Sequence, residues 1–154
     1  MDIDGTATDT RIRTLKRGDL DRIVTMDAQH TGRRRQAWFE ARLSRALDDS
    51  AVRVSLAAEV DGTLVGAVLG EVQYGEYGVA APVAVLDTIL VDRAFSGQGV
   101  GATLVEHLAR NLRALNIERI RTEVAWDQQH LLTFLAHQGF SPAQRLVLER
   151  SIEG

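Results

Sequence analysis

The sequence predicts a mixed α/β domain, a central sheet with helices on both faces in the order β-α-α-β-β-β-α-β-α-β. Three observations carry it. Asp61-Gly62 separates two β-rich runs, Val52–Val60 and Leu64–Val72, and Asp-Gly in that position is a strong hairpin signal. The run Val83–Val91 is nearly all apolar, as a strand covered on both faces must be. From about Gly99 to Leu115 the residues Val100, Leu104, Val105, Leu108, Leu112 and Leu115 recur at helical spacing, and a strand over Arg119–Ala125 follows. A helical crossover between two strands makes that part of the sheet parallel or mixed.

The remaining elements fall in place along the chain. Residues 1–9 hold three aspartates and little apolar material, so they read as a flexible leader, with a single domain over 10–154. Arg11–Leu15 alternates like a half-buried strand, and Gly18-Asp19 offers a turn and an N-cap to a helix that buries Leu20, Ile23, Val24 and Met26. A second helix over Arg35–Leu47 places Trp38, Phe39, Leu43, Ala46 and Leu47 inward, with Arg42 and Arg45 facing water. Gly75–Pro82 reads as a flexible loop flanked by tyrosines, and Asn116 as a helix stop. Gln128–His137 reads as a short helix, Gly139-Phe140 as its exit, and Leu146–Arg150 as a final strand. The triplet Leu146-Val147-Leu148 can pair within the monomer or across a homodimer, and the sequence leaves both open.

Composition narrows the chemistry. A chain of 154 residues, 45% hydrophobic and 25% charged, can bury a full core in one domain. Its apolar runs are too short to cross a bilayer, and no secretory signal opens it, so the expected location is the cytoplasm. There is no cysteine, which removes disulfides, thiolate metal sites and an acyl-cysteine intermediate. A net charge of −3 gives no basis for nucleic-acid binding. The local run Arg33-Arg34-Arg35 fits either a solvated helix start or an anionic partner. His30, His107, His130 and His137 lack metal-ligand spacing, and no metal is expected.

The most informative stretch is Leu86–Ala102, an apolar strand, a glycine-rich loop and the start of the long helix. Gly97, Gly99 and Gly101 let consecutive N–H groups point into one concavity at the positive end of that helix, a cradle suited to pyrophosphate. A mononucleotide P-loop needs a lysine after its last glycine, whereas Ala102 and Thr103 follow here. A dinucleotide fingerprint needs Gly-x-Gly-x-x-Gly after an early strand, whereas this loop runs Gly-x-Gly-x-Gly two-thirds of the way along the chain. Both readings are disfavoured.

Ser96-Gly97-Gln98-Gly99-Val100-Gly101 resembles the acyl-CoA-binding loop of the GNAT superfamily of N-acetyltransferases, Gln/Arg-x-x-Gly-x-Gly/Ala, with Ser96 in place of the usual Gln or Arg. The element order is also similar, from about Ile12 to Arg150, and Gly139-Phe140 matches the family's C-terminal Gly-Phe. Leu135 stands where the family often has a tyrosine that protonates the departing thiolate. The resemblance implies the acyl-CoA N-acyltransferase fold, acetyl-CoA as cosubstrate and an amine as acceptor. It implies that Ser96, Gly97, Gln98, Gly99, Val100, Gly101 and Ala102 hold the pyrophosphate. Ile89, Leu90 and Val91 would line the pantetheine slot and offer a backbone N–H to the thioester oxygen, and Asp127, Gln128, Leu131 and Phe134 would line the cofactor from the C-terminal side.

Such a reaction needs a base, because on the order of one aliphatic amine in a thousand is uncharged at neutral pH. Asp87 is the lone acid in Val83–Val91, and a carboxylate in a covered strand is either paired, for example with Arg121, or lines a cleft. Glu71 and Glu123 are alternatives, and Tyr74 or Tyr77 could line the acceptor pocket or supply a general acid. The departures at Ser96 and Leu135 leave a second reading, a non-catalytic acyl-CoA-binding sensor or interaction module of the same fold. Acceptor identity has no code in the sequence.

Overall fold

The computed structural model describes residues 9–48 and 54–153, so the expected leader, Asp9 excepted, and the start of the expected Val52 strand lie outside the described residues. The chain divides into two compact units, Met1–Glu123 and Val124–Gly154. The first holds a five-stranded sheet whose spatial order follows the chain: β1 (Arg11–Thr14), β2 (Leu56–Val60), β3 (Thr63–Gln73), β4 (Val83–Val91) and β5 (Ile120–Thr122). Pairing is antiparallel from β1 to β4 and parallel between β4 and β5. The helices of this unit are α1 (Leu20–Thr31), α2 (Gln36–Asp48) and α3 (Val100–Ala114).

Alternation along the strands builds two cores. Leu56, Ala58, Val65, Val68, Ala84 and Leu86 meet Val100, Leu104, Leu108 and Leu112 of α3. On the other face Ala57, Leu64, Ala67, Leu69 and Leu90 meet Ile23, Val24 and Met26 of α1 and Phe39 and Leu43 of α2. Each fully buried leucine or valine contributes about 1.5–3 kcal/mol relative to exposure, so these stripes fix the helices to the sheet. The mixed α/β architecture with helices on both faces is therefore as the periodicity implied.

The hairpin forms at Asp61-Gly62, where both residues have positive φ, 51° and 79°, as a two-residue turn matched to strand twist requires. Asn116 ends α3 in the left-handed region at φ 61°. Leu115, expected on the buried side, lies past the last helical residue and is half exposed. Trp38 is 45% exposed rather than core, its ring edge-on to Phe39 and beneath the Arg35 guanidinium. β5 is shorter than the expected Arg119–Ala125.

The second unit contains α4 (Gln129–His137) and then irregular chain. α4 ends in a Schellman pairing, Phe140 N–H to Leu135 O at 3.0 Å and Gly139 N–H to Ala136 O at 3.1 Å, with Gly139 at φ 90°. Gly-Phe thus marks a helix exit, as read. The final strand is not formed: Leu146, Val147 and Leu148 are exposed and irregular. A β-prone triplet becomes a strand only with a ladder partner, and among the described residues no ladder includes a residue beyond Thr122.

Two sheet glycines are required by crowding rather than by φ. A Cβ on Gly66 would stand 2.7 Å from Val100 Cγ1, so its absence lets the first turn of α3 sit on the sheet. At Gly70 a Cβ would stand 2.6 Å from the backbone oxygen of Val85, which cannot retreat without moving β4. Gly70→Ala is expected to destabilise the fold by about 1–3 kcal/mol, lowering the urea midpoint at unchanged slope. Gly18→Ala, where a Cβ meets nothing within 4 Å, should stay within about 0.5 kcal/mol of the parent.

Candidate functional site

The β3–β4 ladder carries an irregularity that sets the site. Leu69 pairs with Thr88 but Gly70 pairs with Leu86, so Asp87 is an extra residue on β4, a β-bulge. Leu86 packs into the α3 core while Leu69, opposite Thr88, packs into the α1–α2 core. Strand alternation then sends Asp87 and Thr88 together toward the α1–α2 side. The Ser55 hydroxyl lies 3.2 Å from Gly70 N and 3.4 Å from Gly70 O, where it satisfies main chain opposite the bulge.

Beyond the bulge, β4 loses its parallel partner. The β4–β5 ladder ends at Leu86 and Thr122, whose hydroxyl donates to Leu86 O at 2.8 Å. From Asp87 to Val91, among the described residues, no strand pairs with β4 on the side away from β3. Asp92 N–H donates to Val65 O of β3 at 2.8 Å, so alternation turns the main-chain groups of Val91 and Ile89 to the open edge and those of Leu90 to β3. The three residues expected to act alike are therefore divided. His30 of α1 reaches this edge, its Nε2 2.9 Å from Val91 O.

The glycine loop continues from that edge. A short 3-10 turn, Arg93–Phe95, leads to Ser96, an exposed residue whose N–H donates to Arg93 O at 3.2 Å. Gly97 and Gly99 take φ of 77° and 81°, and Gln98 between them is exposed. A Cβ on either glycine would meet nothing within 4 Å; backbone sign, not crowding by the protein, demands glycine there. The first bond of α3 is Thr103 N–H to Gly99 O at 2.9 Å, so the N–H groups of Val100, Gly101 and Ala102 head the helix without an intrahelical acceptor. Those donors and the helix dipole favour an anion at this end.

Asp92 fastens the loop, and sequence reading passed over it. Its Oδ1 accepts from Ala94 N–H at 2.8 Å, its Oδ2 bonds Arg22 of α1, and Arg22 Nε donates to Leu64 O at 2.9 Å. Gln29 of α1 accepts from Arg93 N–H at 3.0 Å. Burial pushes the Asp92 carboxyl upward, but the Ala94 N–H and Arg22 outweigh it and hold it below the usual carboxylate range. The available signal was an aspartate at a strand's end, the residue type that caps a turn.

Asp87 is paired, but not with Arg121. Arg42 Nε donates to its Oδ2 at 2.5 Å and the Thr88 hydroxyl donates to its Oδ1 at 2.9 Å, while the carboxylate keeps 37% exposure. Arg42, expected to face water, is 3% exposed: it lies one turn from Phe39 on the same side of α2, and the strand carboxylate offsets its burial. Arg121 bonds Glu76 in the loop after β3, while Glu71 stands 4.0 Å from Arg45 and is 45% exposed. Tyr74 and Tyr77 are exposed, as is Glu123, one residue past β5. In the arginine run, Arg35 grips the buried Asp27 with two bonds of 2.8 and 2.6 Å, and Arg34 donates to Thr25 Oγ1 at 3.3 Å. The run is thus partly structural.

In the second unit, Asp127 and Gln128 are exposed in the turn before α4, and Gln128 Oε1 accepts from Ala125 N–H at 3.1 Å. Leu131 and Phe134 are half-buried and Leu135 is buried.

A bulged fourth strand, an open edge and a glycine loop heading a helix coincide with a sequence match. The Acetyltransferase (GNAT) family model matches residues 20–140. The chain belongs to that family. Its fold is similar to a transcriptional regulator from Bacillus halodurans C-125 (TM-score 0.78, 20% identity, 93% of this chain and 99% of that one). It is also similar to the aminoglycoside N-acetyltransferase AAC(6')-Iy solved with CoA (0.77, 18%, 93% and 95%). A third is the ribosomal-protein-alanine N-acetyltransferase of Brucella melitensis biovar Abortus 2308 (0.72, 20%, 93% and 99%). No curated protein gives a significant match.

For this GNAT chain the loop anchor makes a pH-dependent prediction. A carboxyl held below its unfolded value of about 3.9 stabilises the fold above that value and ceases to do so as pH falls through the folded one. Asp92→Ala should therefore lower stability by about 1–3 kcal/mol at pH 7, with the deficit shrinking below pH ~4. Urea titrations of both proteins across that range check it.

Proposed function

We propose that this GNAT protein transfers acetyl from acetyl-CoA directly to an amine. The observation that carries the reading is the continuity of the free β4 edge with the glycine loop. Main-chain donors follow one another from Ile89 and Val91 to Val100, Gly101 and Ala102, matching a ligand with a peptide-like arm and a diphosphate. One relative, AAC(6')-Iy, was solved both with CoA and with a CoA-containing bisubstrate analogue, which accords with it.

In this reading the loop N–H groups, with Gly97 and Gly99 leaving the approach open, bind the diphosphate. An edge N–H of Ile89 or Val91 polarises the thioester carbonyl, a task for fixed main-chain dipoles. Asp87 takes the proton of the incoming ammonium, directly or through water. It stands at the bulge with a third of its side chain open, held in direction by Arg42 and Thr88. Glu71 and Tyr74 are more exposed than Asp87, and this reading assigns them, with the exposed Glu123, to the rim. The amine attacks the thioester carbon, the C–S bond breaks, and the thiolate leaves or takes a proton from solvent. No acyl-cysteine intermediate forms, since the chain has no cysteine.

Calorimetric titration with acetyl-CoA tests the binding half. Gly99→Ala, which forces a side chain into φ 81°, should weaken affinity about tenfold or more with an unchanged far-ultraviolet dichroism spectrum. Asp87→Asn should lower kcat/KM by roughly 10²–10⁴ while leaving acetyl-CoA affinity intact. Leu135, buried in the second unit in place of an acidic phenol, favours the alternative of a non-catalytic acyl-CoA binder. Tight acetyl-CoA binding with no thiol release across a broad amine screen would establish that alternative.

A further inference from the structure

The Arg42 guanidinium is over-supplied with donors. Nε serves Asp87, but Nη1 and Nη2 are buried and have no hydrogen-bond partner among the described residues. Buried polar groups are nearly always partnered, and an ionised one left unmet is costly, so an unmet pair of amino groups beside an exposed carboxylate calls for an acceptor from elsewhere. A guanidinium edge matches a carboxylate, which takes two parallel N–H bonds.

The neighbouring charges point the same way. Glu71 faces Arg45 at 4.0 Å and Glu76 bonds Arg121, so the carboxylates of β3 and the following loop already have cations. A polycationic acceptor would need unpaired carboxylates here. The surplus is in donors, on Arg42. Arg42 and Asp87 together offer a cation and an anion in contact, the complement of a molecule carrying an ammonium and a carboxylate a few atoms apart.

We infer that the acceptor is a carboxylate-bearing amine of the amino-acid class, its carboxylate taken by the Nη groups of Arg42 and its ammonium by Asp87. Arg42 is thereby a specificity-determining residue. The acceptor approaches from the Asp87 side, the member of the pair that meets solvent. This rests on the transferase reading above and adds the acceptor's class to it.

The test compares free amino acids with their amides, which keep the amine and lose the carboxylate, using acetyl-CoA and thiol release as readout. The best amino acid should exceed its amide in kcat/KM by roughly tenfold or more, although the amide's amine is the less protonated. In Arg42→Met that ratio should collapse toward one, whatever the variant's overall rate. Arg42→Lys, which keeps the charge and loses the fork, should restore only part of it. Amines turned over by the parent with no preference for the carboxylate overturn this inference alone. A parent that fails to bind acetyl-CoA overturns the transferase reading and this one with it. If Arg42→Met does not fold, the parent's acid-to-amide ratio still decides.

Discussion

The register of β3 against β4 skips Asp87, and the rest of the site follows from that skip. An inserted residue turns the strand, increases its local twist and puts two successive side chains on one side. On β4 those are Asp87 and Thr88, both on the α1–α2 side, with Asp87 bonded to Arg42 of α2. The same turn carries β4 away from β5, whose ladder stops at Leu86. Gly70 is the counterpart on β3: with the Val85 carbonyl 2.6 Å from where its Cβ would stand, only glycine lets the strands close at this point. One backbone irregularity thus supplies a part-exposed carboxylate and the open strand edge together.

Charge pairing fixes α1 against this irregularity. Near the start of the helix, Arg13 holds both oxygens of Asp19 at 2.9 Å and Glu59 of β2 at 2.8 Å. Burial pushes the Asp19 carboxyl up, yet the Arg13 bonds and the Lys16 N–H bring it below its ordinary value, while Arg13 is driven the other way. In the first turn, Arg22 ties α1 to Asp92 at the loop, and further along Asp27 takes Arg35, the residue just before α2. Each pair contributes little net stability because desolvation offsets attraction. What they contribute is direction: α1, α2 and the glycine loop are each fastened by a named bond to a strand end or to one another.

The legible part of the protein was the part written in period and punctuation. β4 and the stripe of α3 follow from apolar spacing, the hairpin from Asp61-Gly62, the loop from its glycines, and the α4 exit from Gly139. These are local signals, readable within a dozen residues. What escaped was decided at long range. Arg42 looks like the solvent face of α2 until Asp87, 45 residues later, is placed beside it, and Asp92 looks like a loop residue until Arg22 of α1 reaches it. Arg121, which the sequence offered as one example of a partner for Asp87, instead bonds Glu76. The triplet Leu146-Val147-Leu148 failed in the opposite sense, since strand propensity without a ladder partner specifies no strand.

At the Arg42–Asp87 pair the sheet register and the charge pairing meet. As a purely structural contact it is a poor choice, since a hydrocarbon pair at the same place would hold α2 to the sheet without taking a guanidinium out of water. It is poor in a second way, because two of its nitrogens meet no partner among the described residues. A contact that costs stability on both counts is explained by what hydrocarbon cannot do. It fixes a carboxylate in direction at the bulge, and it keeps a cationic fork dry, where the fork binds an anion more strongly than it would in solvent. A buried guanidinium of α2 and a part-exposed carboxylate thus meet at the residue that the sheet register leaves over.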